Sequence, residues 1–291
     1  MYALENDLLK IDTRPHGGEL TAVTSKKTGT EYLWSGDPAH WQYHAPVLFP
    51  IVGKVNGGVY SVDGKEYAMP QHGLARKQLF EMTEKTADHI TFKLTDNDET
   101  LSVYPFRFAL LITYRLSGNR VETEYRVENA DERTIFFSIG GHPAFMCPMQ
   151  EQCALSDYYF EFEQNEQAER MTLSDAGLFT RETTPFLNNE KVIPLTYALF
   201  DRDAIVFANL KSKSVALKSE RHRAYLRFHM NDFPYLGLWT KADAPFVCIE
   251  PWFGHADYVD FKGAFSEKAG IVSLEKGASF QTSYGIEICE E

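Results

Sequence analysis

Short runs in which apolar and polar residues alternate recur along almost the whole chain, and this two-residue rhythm constrains the fold more than any other feature. In residues 120–127, valine, threonine and tyrosine occupy the odd positions, while arginine and glutamate occupy the even ones. Such alternation is typical of a strand with one buried face. Comparable runs lie at residues 90–94, 108–115, 158–162, 204–207, 215–217, 225–228, 246–249 and 284–289.

Turn signals and the scarcity of helical periodicity agree with a β fold. Asp63-Gly64 separates two strand-like runs, 59–62 and 65–69, as in a two-residue hairpin. Only residues 150–155 and 166–173 fit short helices. Many short strands with almost no helix indicate an all-β sandwich or barrel with long connections. Because no repeat, low-complexity tract or linker interrupts the pattern, we expect one domain over residues 1–291.

The charge balance excludes several classes of partner. The chain holds 29 Lys+Arg and 41 Asp+Glu, a formal charge of −12, which argues against binding to nucleic acid or to an anionic membrane surface. No run of about 18 apolar residues occurs, so no membrane-spanning segment is expected. The first residues lack the features of a secretory signal, and four scattered cysteines without ligand spacing indicate reduced thiols in a cytoplasmic protein.

One local stretch reverses the acidic balance. Residues 209–228 hold six basic side chains against the single acidic Glu220. Lysines of this kind commonly protect the exposed edge of a sheet. The alternative interpretation is a surface that recognises phosphate. The basic residues are Lys211, Lys213, Lys218, Arg221, Arg223 and Arg227.

Motifs for nucleotide, nucleophilic and metal chemistry are absent from the sequence. It contains no Walker loop, dinucleotide fingerprint, G-x-S-x-G elbow or H-E-x-x-H motif. His40 and His44 have a spacing that could hold a metal on a helix, but no acidic third ligand accompanies them and Pro46 follows. We therefore expect no metal and no cofactor.

Four segments set titratable side chains among glycine, proline and aromatic residues: 48–55, 70–74, 140–145 and 248–254. They contribute Lys54, His72, His142 and Glu250. A cation, two imidazoles and a carboxylate suit general acid–base chemistry on a neutral polar molecule.

Each of these residues also has a structural interpretation. His72 could be an exposed turn residue, His142 a buried histidine bonded to backbone, and Lys54 a solvated lysine. Glu250 lies between an apolar run and Pro251-Trp252. A buried carboxylate there is costly unless it is paired or functional.

In their order and spacing the motifs resemble the aldose 1-epimerase (galactose mutarotase) family, and more closely its LacX-like branch. The resemblance covers nearly the whole chain. It runs through Gly17-Gly18-Glu19-Leu20, Leu33-Trp34, Phe49-Pro50-Ile51-Val52-Gly53-Lys54, Gln71-His72-Gly73-Leu74-Ala75-Arg76, Gly140-Gly141-His142-Pro143-Ala144-Phe145, Phe233-Pro234-Tyr235-Leu236-Gly237-Leu238-Trp239 and Cys248-Ile249-Glu250-Pro251-Trp252-Phe253-Gly254.

This resemblance implies a β-supersandwich with an open sugar-binding cleft and no cofactor, which interconverts the α and β anomers of free aldoses. By motif, Glu250 is similar to the general base that acts on the C1 hydroxyl. His142 is similar to the general acid for the ring oxygen, and His72 to the second histidine near that oxygen. We expect His142 to work protonated, with a pKa raised by the neighbouring carboxylate.

The resemblance also implies substrate-binding positions. Lys54 falls where better-known mutarotases carry an arginine, and lysine lacks the planar fork of that residue. A substrate-binding aspartate corresponds to Asp201 or Asp203, of which Asp203 is favoured because it directly precedes a strand-like run. Trp239 and Trp252 are either core residues or a platform for stacking a sugar.

Two other functions fit the same sequence. One is a carbohydrate-binding or regulatory protein on the same scaffold without turnover, because fold alone does not determine function. The other is a mutarotase for a hexose phosphate, for which the basic stretch 211–227 is the sequence support. The sequence indicates neither the particular sugar nor an oligomeric state.

Overall fold

The computed structural model describes residues 1–290, and strands dominate it. The strands are β1 (Tyr2–Glu5), β2 (Leu9–Arg14), β3 (Glu19–Ser25), β4 (Val47–Leu48), β5 (Val59–Val62), β6 (Lys65–Ala68), β7 (Glu81–Lys85), β8 (His89–Thr95), β9 (Phe108–Ser117), β10 (Arg120–Asn129), β11 (Ile135–Phe137), β12 (Ile139–Gly141), β13 (Ala144–Met146), β14 (Tyr158–Leu173), β15 (Phe179–Pro194), β16 (Ile205–Ala208), β17 (Ser214–Ser219), β18 (Tyr225–His229), β19 (Tyr235–Trp239), β20 (Phe246–Phe253), β21 (Val272–Leu274) and β22 (Ser279–Cys289). One short α-helix, α1 (Asp98–Val103), and 3-10 turns at Asn56–Gly58, Ala75–Lys77, Leu155–Asp157, Tyr197–Phe200 and Phe265–Glu267 complete the described chain.

One 15-stranded antiparallel sheet organises the molecule. Its order is β4-β12-β20-β19-β16-β14-β17-β18-β22-β10-β9-β8-β7, with β13 paired to β20 and β15 to β14. Strand β22 lies between β10 and β18, so the end of the chain joins its first half to its second half. A three-stranded sheet, β1-β2-β3, and the pairs β5-β6 and β11-β21 lie outside this sheet. The prediction of an all-β fold is confirmed.

The alternating pattern and the predicted hairpin have the expected geometry. Along β10 the odd-numbered residues are buried and the even-numbered ones are at least partly exposed up to Glu128. Asp63 and Gly64 both have positive φ, 52° and 76°, and join β5 to β6. Positive φ at both central residues matches the twist of the flanking strands, which is why Asp-Gly is favoured there.

The two predicted helices are wrong. Residues 166–173 form the second half of β14, which pairs with β15 from Tyr159 to Leu173. This segment contains good helix formers, but pairing with a neighbouring strand overrides that local preference. Several register shifts in the β14–β15 ladder interrupt the two-residue rhythm and hide the strand in the sequence. Residues 150–155 form a turn, in which the Cys153 N–H donates to the Gln150 carbonyl at 3.0 Å.

The basic stretch is not at a sheet edge. Strand β17 lies between β14 and β18, and β18 lies between β17 and β22. Lys218 forms an ion pair with Glu161 across the face of this sheet, and the Arg227 guanidinium lies over the Tyr225 ring at 5.8 Å. The interpretation as an edge protected by lysines is therefore wrong: Lys218 and Arg227 lie on interior strands, and the other four basic residues lie in the connections around them.

The hydrophobic core consists of one large cluster and two small ones. The large cluster fills the body of the sheet structure. The first small cluster includes Val52, Phe179 and Trp252, and the second includes Trp34 and Phe246. Both small clusters underlie the cavity described below, whose walls therefore rest on packed apolar side chains. Within residues 1–290, no helix is long and apolar enough to cross a bilayer, and all four cysteines are free thiols.

Candidate active site

The register of three short strands brings His142 and Glu250 together. Strand β12 pairs Gly140 with Trp252 of β20, and β13 pairs Ala144 with Cys248 of the same strand. Both pairs keep one register, and continuing it across the gap between β12 and β13 sets His142 opposite Glu250. Two motifs about 100 residues apart in the sequence thus meet because both antiparallel segments run along β20.

Two glycines make room for an indole beside this pair. Gly140 on β12 and Gly237 on β19 both face Trp252, and a Cβ built on either would lie within 2.7 Å of its ring. Real side chains cannot approach so closely, so only glycine allows the Trp252 indole to lie flat between the neighbouring strands. Trp252 reaches the cavity as a result.

All seven site residues predicted from the sequence line one open cavity of about 710 Å³. This volume is in the range of small-molecule sites. Asp203 lines the cavity, whereas Asp201 does not. The seven residues are Lys54, His72, His142, Asp203, Trp239, Glu250 and Trp252.

His142 and Glu250 form a buried pair at the floor of the cavity. The imidazole Nε2 lies 3.2 Å from the carboxyl Oε2, and the two residues are only 6% and 2% exposed. Burial and the neighbouring charge of Asp203 raise the pKa of Glu250 well above its usual value. The Trp252 indole N–H opposes this shift without meeting the geometry of a hydrogen bond. Burial therefore favours a pair that holds one proton, on the carboxyl.

The expectation of a raised histidine pKa is wrong. Burial, followed by the positive charge of Arg76, lowers the pKa of His142 to about 3. The expected carboxylate effect is missing because desolvation raises the pKa of Glu250 and so disfavours the negative charge that would have raised the pKa of His142. The Trp41 ring stacks on the imidazole at a centroid distance of 4.7 Å and keeps water from that face.

His72 is held as a neutral hydrogen-bond donor. It sits in a turn with φ of 65°, and its ring is edge-on to His142 at 5.5 Å. The backbone N–H of Gly53 donates to His72 Nδ1 at 3.2 Å, and the backbone N–H of His72 donates to the Gly53 carbonyl at 2.7 Å. Because Nδ1 accepts, the ring proton belongs on Nε2, which lies 3.2 Å from the side-chain amide of Gln71. Burial, and then the charges of His142, Arg76 and Lys54, lower the pKa of His72 well below its usual value.

Lys54 and Asp203 lie nearer the rim of the cavity. The Lys54 ammonium donates to the Ala176 carbonyl at 2.9 Å. Asp203 has a φ of 70°, and its Oδ1 accepts from the Ala204 N–H at 2.7 Å. That turn fixes an exposed carboxylate close enough to Glu250 to affect its pKa.

The walls contain buried polar atoms without a protein partner. These atoms are His142 Nδ1, Trp252 Nε1 and Arg76 Nε. Buried polar groups in folded proteins are nearly always hydrogen-bonded. Their convergence on one cavity indicates a polar molecule as its occupant. Trp239, edge-on to His142 at 5.8 Å, adds an aromatic wall.

Sequence reasoning missed several lining residues, chiefly Trp41, Tyr43, Gln71 and Arg76. Gln71 and Arg76 belong to a motif that carries the family resemblance, but a role in the site was not assigned to them. The Arg76 guanidinium donates to the Gln71 carbonyl at 2.9 Å and lies 4.7 Å from the centre of the Tyr43 ring. Trp41 and Tyr43 lie in an irregular segment without any period, so only their aromatic character could have marked them.

Glu19 anchors the segment that carries Trp41. Its carboxylate is 2% exposed and accepts from the backbone N–H groups of His44 and Ala45 at 2.8 and 3.0 Å. Arg14 forms an ion pair with the same carboxylate. Strand β3 thereby holds the loop whose indole covers His142, so Glu19 is a positioning residue.

One cluster among residues 1–290 has the donor atoms for a metal ion. His142, Cys248 and Glu250 offer nitrogen, sulfur and oxygen atoms within 4.8 Å of one another. Burial raises the pKa of both Cys248 and Glu250, which favours the protonated forms that cannot ligate an ion. His44 belongs instead to the Glu19 anchor, with Nδ1 3.8 Å from its carboxylate.

Comparison with known proteins identifies the family to which the chain belongs. Residues 1–273 match the aldose 1-epimerase family. Protein LacX (chromosomal) of Lactococcus lactis subsp. lactis is 35% identical over 294 residues, which cover 98% of each chain. A solved galactose mutarotase related enzyme from Lactobacillus acidophilus is 34% identical, with a TM-score of 0.94 over 99% of this chain and 97% of that one. A galactose mutarotase-like protein from Lactobacillus casei is 31% identical, with a TM-score of 0.93 over 99% and 100%. The chain therefore belongs to the aldose 1-epimerase family, in its LacX-like branch.

Proposed function

We propose that the protein is an aldose 1-epimerase that interconverts the α and β anomers of an aldohexose by acid–base catalysed opening and closing of the ring. The observation that carries the proposal is the His142–Glu250 pair, 3.2 Å apart, buried at the floor of a cavity that leaves several polar atoms without partners. A sugar offers hydroxyl and ring oxygens that fit such atoms. The reaction needs a proton acceptor and a proton donor beside one carbon, and this pair supplies both.

The proton inventory of the pair matches the reaction. Ring opening takes the proton from the C1 hydroxyl, forms the C1 carbonyl, breaks the bond from C1 to the ring oxygen and gives that oxygen a proton. In the working form Glu250 is the base for the hydroxyl, and His142, holding the single proton of the pair, is the acid. That form arises when the proton moves from carboxyl to imidazole across 3.2 Å. Rotation about the C1–C2 bond and closure by the reverse transfers then give the other anomer.

The surrounding residues suit substrate binding. His72 lines the cavity edge-on to His142, and Asp203 offers an exposed carboxylate that can accept from sugar hydroxyls. Trp239 and Trp252 supply the aromatic faces on which the apolar side of a pyranose packs. The alternative, a carbohydrate-binding protein without turnover, needs these walls but gives no reason for an acid–base pair in the floor.

Glu250→Gln tests the proposal. The substitution keeps the shape of the side chain but removes the base, so we expect the rate of mutarotation to fall by about 10²–10⁴-fold. Polarimetry on freshly dissolved α-glucose and α-galactose, with and without protein, measures the rate directly. EDTA is expected to change neither this rate nor the melting temperature, in keeping with the predicted absence of a metal.

Glu220→Gln is the matched control, because Glu220 is an exposed residue of the same type that does not line the cavity. It should keep the full rate. A folded Glu250→Gln protein that retained more than a tenth of the wild-type rate would remove Glu250 from the mechanism. A wild-type protein that bound sugars without accelerating their mutarotation would favour the binding function instead.

The hexose-phosphate alternative loses its original support. None of the basic residues between Lys211 and Arg227 lines the cavity, and their strands lie in the interior of the large sheet. Any preference for a charged sugar must come from cations in the cavity itself.

A further inference from the structure

The cavity is basic in a chain that is acidic. Lys54, Arg76 and Lys77 line it, against only two acidic residues, Asp203 and Glu250. In the whole chain acidic residues outnumber basic ones by 41 to 29. Burial disfavours the charged form of Glu250, so within the lining the exposed carboxylate of Asp203 faces three positive side chains. Such a local field attracts and retains anions.

Neither Arg76 nor Lys54 forms an ion pair with a carboxylate among residues 1–290, although the charge of the buried Glu19 acts on Arg76. Arg76 contacts only a backbone carbonyl and an aromatic ring, and its Nε–H is buried without any partner. Lys54 contacts only the Ala176 carbonyl. Basic side chains that are partly removed from water are normally paired with an anion. Both residues therefore keep unused donors that face the cavity.

The two cations lie at the same end of the cavity. Arg76 donates to the carbonyl of Gln71, which directly precedes His72, and Lys54 follows Gly53, which is hydrogen-bonded to His72 twice. Asp203 lies instead beside Glu250, whose pKa it affects. A bound molecule thus meets the positive charges near His72 and the negative charge near Glu250.

We propose that the substrate is an aldose carrying a negatively charged group, a phosphate or a carboxylate, which Arg76 and Lys54 bind while C1 lies at His142 and Glu250. The planar guanidinium can form two parallel hydrogen bonds to either anion, and the ammonium adds a third. A neutral hexose leaves these donors unsatisfied, and sites with unpaired polar groups discriminate strongly between ligands. This inference rests on the proposed function for its chemistry and on the charged residues for its specificity.

The test compares kcat/KM for three sugars of one stereochemical series: the neutral hexose, its 6-phosphate and the corresponding uronate, in the glucose and galactose series. Magnetisation exchange between the anomeric protons measures all three at equilibrium. We expect at least one anionic sugar to exceed the neutral one by about tenfold or more, which is the size of one charge-assisted hydrogen bond, and the excess should shrink with salt. The ratio of kcat/KM for the 6-phosphate to that for the uronate then shows which anionic group the site prefers.

Variants test whether Arg76 and Lys54 cause the preference for an anionic sugar. Arg76→Gln should remove most of the ratio between anionic and neutral sugar, and Arg76→Lys should restore part of it. Arg221→Gln is the matched control, because it removes the same charge from the basic stretch outside the cavity and should leave the ratio unchanged. Equal kcat/KM for neutral and anionic sugars, or an anionic preference that survives Arg76→Gln and Lys54→Gln, would overturn the inference while leaving the proposed function intact.

Loss of the proposed function would give a different result. If no sugar is turned over, calorimetric titration with the same three sugars still tests the charge inference through binding. Tighter binding of a 6-phosphate or uronate that is lost in Arg76→Gln would support it. Equal affinity for charged and neutral sugars would reject it.

Discussion

At the scale of single residues, the proton balance of His142 and Glu250 determines how the rate depends on pH. The pKa of His142 is lowered to about 3 and that of Glu250 is raised. The pair therefore keeps one proton from about pH 4 to beyond the usual carboxyl range, and the two limits belong to the pair as a unit. We expect kcat/KM to show no histidine inflection between about pH 5 and 7, where an unperturbed histidine would titrate. The measurement is kcat/KM in overlapping buffers, with circular dichroism to verify the fold at each pH.

The variant His142→Asn tests the same assignment. It should lower kcat/KM by about 10²–10⁴-fold without introducing a pH dependence into this window. A wild-type profile with an inflection near pH 6.5 that disappears in His142→Asn would mean that the imidazole titrates normally, and that burial does not control its pKa. An unchanged rate in the variant would transfer the acid role to His72.

The sequence identified the titratable residues of the site more readily than the residues that pack around them. His72, His142 and Glu250 stood out because titratable side chains beside glycine, proline and tryptophan are unusual, and all three line the cavity. Trp41 and Arg76 could not be assigned from the chain alone. Trp41 belongs to the site because it stacks on an imidazole about 100 residues away, and Arg76 because tertiary packing places its guanidinium in the cavity wall without an ion pair.

At the scale of elements, strands with one solvent-facing side could be predicted and irregular pairing could not. Strand β10 keeps strict alternation because the core lies on one side of it. The second half of β14 pairs through repeated register shifts, so its side chains no longer alternate regularly. The sequence of residues 166–173 does not indicate that this segment pairs with β15. The short helix α1, capped by Asn97 and Thr100, has a local signal that the alternation around it obscured.

The anchor between β3 and the segment carrying Trp41 gives a prediction about stability. Glu19→Ala removes the acceptor for two buried backbone N–H groups and the partner of Arg14. We expect a loss of about 3 kcal/mol in the free energy of unfolding, measured with urea, because each unsatisfied buried group costs about 1–3 kcal/mol. Glu19→Gln retains an oxygen that can accept from both N–H groups and should lose less.

The pH dependence of this loss has a definite sign. Burial raises the pKa of Glu19, but the contacts with His44 and the charge of Arg14 outweigh it, so the net pKa is lowered. A carboxyl with a lowered folded pKa stabilises the fold above its unfolded pKa, about 4.3, and that contribution is lost as pH falls through the folded value. The difference between wild type and Glu19→Ala should therefore shrink below about pH 4. A constant difference would mean that the charge of Glu19 contributes nothing.

At the scale of the whole molecule, strand order explains why the site could be recognised before the fold was known. The segments that hold Lys54, His72, His142 and Glu250 are distant in sequence but end at the same cavity. Strand β20 pairs with β12 and β13, which brings Glu250 to His142. Strand β12 also pairs with β4, which precedes Lys54, and His72 is hydrogen-bonded to Gly53. Local patterns indicate which residues carry chemistry. Local patterns do not indicate which strands are neighbours, because the alternation of apolar and polar residues in a strand is the same whichever strand it pairs with.

The same strand order leads us to predict that residues 1–291 unfold as one domain. Strand β12 pairs with β4 and β20, and β22 pairs with β10 and β18, so a cut anywhere between β4 and β22 would separate paired strands. Far-UV circular dichroism follows the whole sheet, whereas tryptophan fluorescence follows Trp34, Trp41, Trp239 and Trp252, of which the last three line the cavity. In urea both signals should change at one midpoint, because a cooperative unit loses its sheet and its cavity together. Separate midpoints would mean that the part of the chain around the cavity unfolds independently.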